Sequence, residues 1–512
     1  MQPTINIDHL VEEGSSERVG PDAEHEVYPL HFLDKHPGFQ DTYTYTWHFN
    51  DVLDAQLLHA ALRRLLEYGD WRKFGGRLRT NTFKGRRTLE VHVPKTVTPD
   101  YQSVAYSHQV IRSKLREHPL GSLLPQPTGE RGSIQEGADH FRDFSASPNV
   151  PKDFSAYLSG DVPIMALHVI CFSDATLVSL AWPHVVMDGI SLQTFVISWS
   201  NMLAGRENAV PPIFGAYDDP LARASGSALA RDQIDSDGNC LLRGFTTLRL
   251  AYNVLWDQLK ISFSTQKPVN RTVYLPKRAV QKLRNQALFE IQRANPGHPD
   301  KLWVSESDVI LALFVHTAAL CEPTPRPVTV FGAFDLRSRL PDYIDKGGVY
   351  IQNMAWVTTT LLDVDTATGS MGEVALAHRR SLQTQTDQRR VVALLSKLKQ
   401  QSDSGNGMTL FSGPPNAVLY PAGNLTKLNF CRAANFLPAV FRTGDDSPTR
   451  RNPPGTCVYH HKGFWNEHRV SKKGMFILGQ DWNDNYWITG YGMPDYWRRI
   501  QQILDELSPS RH

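Results

Sequence analysis

Ala181-Trp182-Pro183-His184-Val185-Val186-Met187-Asp188-Gly189 is the point in this chain where one periodicity gives way to another. Ahead of it, the apolar runs Ile164 to Phe172 and Thr176 to Trp182 flank Ser173-Asp174-Ala175. Both runs have strand length and are rich in β-branched and bulky residues, and the three residues between them read as a tight turn. Beyond it, Leu192, Phe195, Val196, Trp199, Met202 and Leu203 recur at helical spacing. His184 is therefore expected where a buried strand ends and a helix is about to begin. A side chain at such a junction reaches a cavity while rigid elements on both sides fix its backbone.

Imidazole is the side chain whose ordinary pKa lies closest to neutrality. It can take the proton of a hydroxyl or amine as that group attacks an acyl carbon. Asp188, four residues on, can hold the loop by binding backbone or an arginine. Gly189 permits a backbone angle that other residues avoid. On the motif alone, a core histidine beside an unrelated Asp-Gly turn remains an equal reading.

With 512 residues the chain exceeds a single core, so two or more domains are expected. Hydrophobic residues at 41% and charged residues at 21% describe an ordinary globular protein. A formal net charge of +2 provides no broad basic field and argues against nucleic acid as the main partner. No apolar run reaches membrane-span length. Met1 to Ser16 is polar and acidic, unlike a secretory signal. Five scattered cysteines fit reduced thiols and a cytoplasmic location. Cys457 stands near His460 and His461, but no second ligand pair has a recognisable spacing, so no metal is expected.

Asp51 to Tyr68 reads as a helix with Leu53, Leu57, Leu58, Ala61, Leu62, Leu65 and Leu66 on one stripe and Asp51 as its cap. A first half is expected over residues 1–205. Pro, Ser, Gly and Asp punctuate 206–268, which reads as a linker containing a helix at Leu242 to Leu259, docked on the domains rather than touching a membrane. In the second half, 269–512, Ser305 caps a helix through Leu320 and Pro327 to Phe334 forms a strand. Phe476 to Gly479 and Tyr486 to Thr489 make a hairpin, and Pro494 opens a last helix. Interspersed strands and helices point to an α/β architecture.

With these landmarks in order the chain resembles the BAHD acyltransferases, in particular their fungal branch of trichothecene-acetyltransferase type. Tyr28-Pro29-Leu30, Phe74-Gly75-Gly76-Arg77-Leu78, Trp182-Pro183-His184 with Asp188-Gly189, and Asp335-Leu336-Arg337-Ser338-Arg339-Leu340-Pro341 followed by Gln352-Asn353 carry the resemblance over nearly the whole length. One segment departs. Where the family carries D-F-G-W-G, Asn424-Leu425-Thr426-Lys427-Leu428-Asn429-Phe430 leads to Asn435-Phe436-Leu437, and only Phe436 is kept.

The resemblance implies two similar chloramphenicol-acetyltransferase-like α/β domains with mixed sheets, joined by a long crossover loop, with an active-site channel at their interface. It implies acyl-coenzyme A, acetyl foremost, as co-substrate and a hydroxyl of a fungal terpenoid or polyketide-derived metabolite as acceptor, in a monomer. His184 would be the general base. Asp188 would turn away from the substrate to pair with Arg337, with Gly189 and Asn353 in support. Asn424 and Thr426 are oxyanion or substrate-contact candidates by position, and equally read as turn chemistry. Arg379, Arg380, Arg389, Arg390 and Lys472-Lys473 are available to coenzyme A phosphates, or are a plain solvated face. Two alternatives stand beside this reading. One is a carrier-protein-dependent condensation domain, which often shows two adjacent histidines; the other is a non-catalytic metabolite-binding relative.

Overall fold

The computed structural model describes residues 24–83, 86–227, 245–297, 302–344, 347–404, 413–465 and 473–509. Residues 1–16, 228–244 within the expected linker (the start of its expected helix at Leu242 included) and Lys472 lie outside the described residues.

The runs around the motif fold as their periodicity dictates. Ala166–Cys171 and Thr176–Pro183 are adjacent antiparallel strands, buried at every position. Such all-round burial is why neither run alternates polar with apolar. With Cys457–Phe464, Thr42–Phe49 and Ala105–Val110 they form a five-stranded sheet in the order Cys457–Phe464, Thr42–Phe49, Thr176–Pro183, Ala166–Cys171, Ala105–Val110. The helices Ala55–Leu65 and Gly189–Leu203 pack on it, joining Leu58, Leu62, Leu65, Leu192, Phe195 and Trp199 to Trp47, Val169, Val178 and Leu180 in one core.

A seven-stranded mixed sheet carries the second core. Its order is Ala355–Leu362, Val328–Asp335, Val418–Asn424, Gly474–Gln480, Tyr486–Gly492, Val269–Leu275, Ser133–Glu136. The helices Lys277–Ala294, Glu306–Leu320, Met371–Gln385 and Pro494–Leu507 bury their apolar faces against it. Ser305 and Asp308 form a reciprocal capping box at the start of the second of these.

The sheets do not respect a cut between residues 205 and 269. Ser133–Glu136, from the first half, is the edge strand of the seven-stranded sheet. Cys457–Phe464, from the second half, is the edge strand of the five-stranded one, and Val440–Thr443 pairs with Asp51–Leu53. The helix Phe245–Phe263 docks through Asn253, whose Nδ2 donates to Pro415 O at 2.9 Å, and through Asp257, paired with Arg326. Among the described residues no helix is long and apolar enough to cross a membrane.

The expected cap of the first helix is displaced. Asp54, not Asp51, accepts from the Gln56 and Leu57 amides at 2.8 and 3.0 Å, and Leu53 belongs to a strand. Asp51 is instead fully buried, with Arg450 Nη2 at 2.7 Å and the Gly455 amide at 2.7 Å. Gly455 itself is at φ +73° with the Leu437 backbone nitrogen 2.3 Å from where a Cβ would stand, so both angle and space demand glycine there. Helical periodicity extended through a residue whose carboxylate was claimed by an arginine far along the chain.

Candidate active site

His184 opens a single 3-10 turn, His184–Val186, between the Thr176–Pro183 strand and the Gly189–Leu203 helix. Its backbone is pinned from two directions. The His184 amide donates to Asp41 O at 2.9 Å, and Asn353 Nδ2 donates to His184 O at 2.9 Å. Asn353 is held in turn by Asp34, whose Oδ1 accepts from Asn353 N at 3.0 Å and Nδ2 at 2.9 Å. The ring lies flat against Phe39, centroids 4.6 Å apart and planes 7° from parallel, and meets the edge of Tyr43 at 4.4 Å.

The two ring nitrogens differ. Nδ1 is buried without a hydrogen-bond partner from another residue, whereas Nε2 is not among the buried, unpartnered atoms. Burial pushes the imidazole down to about 4 from the ordinary 6.5, against the raising effect of its own carbonyl and of Asp188. His184 is thus neutral, and able to accept a proton, at any pH well above 4. The acid limb of kcat/KM is expected near pH 4 rather than 6.5, measured as initial rate against pH with the fold monitored in parallel. A limb at 6.5 would place the imidazole in a far wetter setting.

Stability runs the same way in sign. His48, His168 and His461 are also held neutral by burial, at about 3, 4 and 3. Each folded-state pKa lies below the ordinary 6.5, so the unfolded chain takes up the proton first. Their contribution is complete above that value and is lost as pH falls from there toward 4 and 3. The thermal midpoint at pH 5 is expected below that at pH 7.5.

Asp188 caps the Gly189–Leu203 helix, its Oδ1 accepting from Ser191 N at 2.9 Å and Ser191 Oγ at 3.0 Å. Its carboxylate also reaches across to the second half of the chain. Arg337 forks onto it, Nη1 to Oδ2 at 3.0 Å and Nη2 to Oδ1 at 3.2 Å, and the Met354 amide donates to Oδ2 at 2.8 Å. Burial pushes this carboxyl up, but the Arg337 charge and hydrogen bonds outweigh it and hold it below the ordinary value. Arg337 is saturated by Asp335 Oδ1 at 2.9 Å, Tyr350 O at 3.0 Å and Gln352 O at 2.8 Å. One knot of charge thus ties the helix behind His184 to the segment that bears Asn353.

Gly189 departs from its expected reason. It is absent from the residues with positive φ, so no left-handed angle requires glycine. A Cβ there would lie 3.0 Å from Leu428 Cδ1, the end of a flexible side chain that would have to give way by a few tenths of an ångström. That contact brings the 424–428 turn against the motif. Asn424 is exposed and its Oδ1 accepts from Thr426 N at 3.0 Å, which is turn chemistry. Thr426 Oγ1 is buried with no hydrogen-bond partner. Of the basic positions, Arg379 is spent on Asp308, Ser305 and the face of Trp303, and Lys473 pairs with Glu322.

Nothing in the sequence singles out Phe39, Tyr43 or Ser191, which lie in stretches without a motif, whereas Leu33-Asp34 belongs to the N-terminal segment that resembles the family. A cleft of about 450 Å³ lined by Val52, Asp54, His108, Val110 and Arg442 includes none of the candidate residues.

Known proteins align with this arrangement over nearly its full length. The chain is 32% identical over 494 residues to O-acetyltransferase PaAT-2 of Phomopsis amygdali, covering 94% of this chain and 98% of that protein. It is 31% identical over 518 residues to acetyltransferase BOT5 of Botryotinia fuckeliana, covering 96% and 92%. Its fold is similar to the crystal structure of F. sporotrichioides TRI101 complexed with coenzyme A and T-2, at a TM-score of 0.59 and 13% identity over 93% of this chain and 97% of that one. No family model matches the chain.

Proposed function

The chain belongs to the family of fungal acetyltransferases that includes PaAT-2 and BOT5, and from that premise we propose that it moves an acyl group, acetyl foremost, from acyl-coenzyme A to a hydroxyl of a fungal specialised metabolite. The observation that carries this reading is His184: a neutral ring stacked on Phe39, on a backbone whose carbonyl is held by Asn353. The TRI101 complex with coenzyme A and T-2 supports a donor of that class and a small-molecule acceptor.

In the proposed reaction both substrates are bound together. His184 Nε2 takes the acceptor hydroxyl proton as the oxygen attacks the thioester carbonyl. Negative charge gathers on the carbonyl oxygen, where Thr426 Oγ1 and backbone amides are the donors on hand. The thiolate departs and takes the proton back from His184. The thioester is already activated, so no nucleophilic serine or cysteine is required. Asp188, Arg337, Gly189 and Asn353 shape the His184 turn and do not touch the reacting atoms. The reading includes a monomer acting in the cytoplasm.

A panel of acyl-coenzyme A donors with candidate alcohols, read by product mass, tests it. Acetyl transfer is expected to lead, with propionyl following, because one methylene in an apolar pocket discriminates by only about 1–3 kcal/mol. Transfer from a carrier-protein thioester alone would replace this reading with the condensation one. Binding of the metabolite without transfer from any donor would replace it with the non-catalytic one.

A further inference from the structure

Lys462 is a cation that nothing described so far employs. It lies on the Cys457–Phe464 edge strand, the one the second half of the chain lends to the five-stranded sheet. Its Nζ stands 3.8 Å from the centroid of Phe476, on the seven-stranded sheet, and 5.2 and 5.5 Å from those of Tyr43 and Phe464, on the five-stranded one. The ammonium therefore lies in the seam between the two sheets. Tyr43 is the same ring that meets His184, at 4.4 Å.

Two features set it apart from a lysine held merely for packing. Among the described residues no carboxylate pairs with it, and the side chain is only partly buried. An ammonium on a flexible stem ordinarily turns to water or to a carboxylate. Here three aromatic faces hold it in the seam, and cation–π attraction is the chief compensation for lost hydration.

Given the acyl-transfer reading, on which this inference rests, we propose that Lys462 is a further catalytic residue: its ammonium, one ring away from His184, supplies the positive charge that meets the negative charge developing on the thioester as the acyl group moves. The step needs no proton from Lys462. The electrons pushed onto the carbonyl oxygen, and then onto the departing sulfur, are stabilised by the fixed cation while His184 carries the acceptor's proton. The same charge acts on His184 in the direction that keeps the imidazole unprotonated.

The inference has a pH signature. Burial draws the Lys462 ammonium down to about 8 from the ordinary 10.5. The other titratable or charged groups around the pair are Tyr43 and Tyr45 on the neighbouring strand, Asp41 just ahead of that strand, His460 and His461 on the lysine's own strand, and the Asp188–Arg337 pair behind His184. Tyr43 and Tyr45 are pushed up by burial and stay neutral phenols, His461 is held neutral, and Asp188 is matched by Arg337. Lys462 is thus the group that changes charge as pH rises through about 8.

The test compares wild type, Lys462→Met and Lys462→Arg by pH–rate profile, with the His184 ring titrated by NMR in the free proteins. Wild-type kcat is expected to decline as pH rises through about 8, and Lys462→Arg to stay level there while keeping most of the rate. Lys462→Met is expected to lose on the order of tenfold or more in kcat with little change in KM, to show no alkaline limb, and to raise the His184 titration midpoint. Equal impairment of the Arg and Met variants, an alkaline limb that survives in the Met variant, or an unmoved His184 titration each overturns the proposal. Thermal midpoints near wild type show that the variants fold; a Met variant that does not fold leaves Lys462→Gln and the Arg profile to decide. Failure of the base reading shows separately, as a His184→Ala enzyme that keeps its turnover.

Discussion

Replacing His184 by alanine is expected to reduce acyl transfer by at least the 10²–10⁴-fold that general-base assistance typically contributes, on the order of 3–5 kcal/mol of barrier. The fold should survive. No side-chain hydrogen bond from another element is anchored on the ring, and what is chiefly lost is its stacking on Phe39 and edge contact with Tyr43. The backbone bonds to Asp41 and Asn353 use main-chain atoms that alanine retains. A thermal midpoint close to wild type, with turnover gone, is the expected pair of measurements. Turnover within a few-fold of wild type would end the base assignment and leave His184 a core histidine.

Replacing Asp188 by alanine should instead damage fold and rate together. Leaving one member of a buried ion pair behind costs about 3–5 kcal/mol. Alanine also gives up the acceptor for the Ser191 amide, a helix cap typically worth about 1 kcal/mol, and leaves the Met354 amide without the oxygen it bonds at 2.8 Å. The surviving bonds from Arg337 to Asp335, Tyr350 O and Gln352 O soften the loss, so the lower part of the range is the expectation. Chemical denaturation reads the stability term. A double-mutant cycle with Arg337→Met isolates the pair, whose combined cost should be well below the sum of the single costs. A stability loss under about 1 kcal/mol for Asp188→Ala would mean that the knot does not hold the two halves together.

The local elements were legible because local periodicity encodes them. Thr176–Pro183 and Gly189–Leu203 could be read from their runs, and so could the position of His184 between them. The capping box at Ser305 and the hairpin of Gly474–Gln480 with Tyr486–Gly492 depend on residues a few positions apart and were equally readable. The Asp188–Arg337 pair was reachable only through the resemblance, since nothing in the spacing of the two residues links them. The cap at Asp51 failed for the same cause: its carboxylate answers to Arg450, 399 residues away.

The sequence by itself determined several of the strands and helices, Thr176–Pro183 and Gly189–Leu203 among them, and that an imidazole stands at the junction of those two. It did so because turn chemistry, capping and hydrophobic period act over a few residues and leave their mark there. Only the tertiary structure decided that each half contributes an edge strand to the other's sheet. It alone set Asn353 between Asp34 and the His184 carbonyl, and Phe39 and Tyr43 against the imidazole ring. It likewise brought the ammonium of Lys462 among rings from both sheets. These placements depend on which surfaces bury one another and which charges lose their water together, and such energies belong to pairs of residues hundreds of positions apart rather than to any stretch of chain.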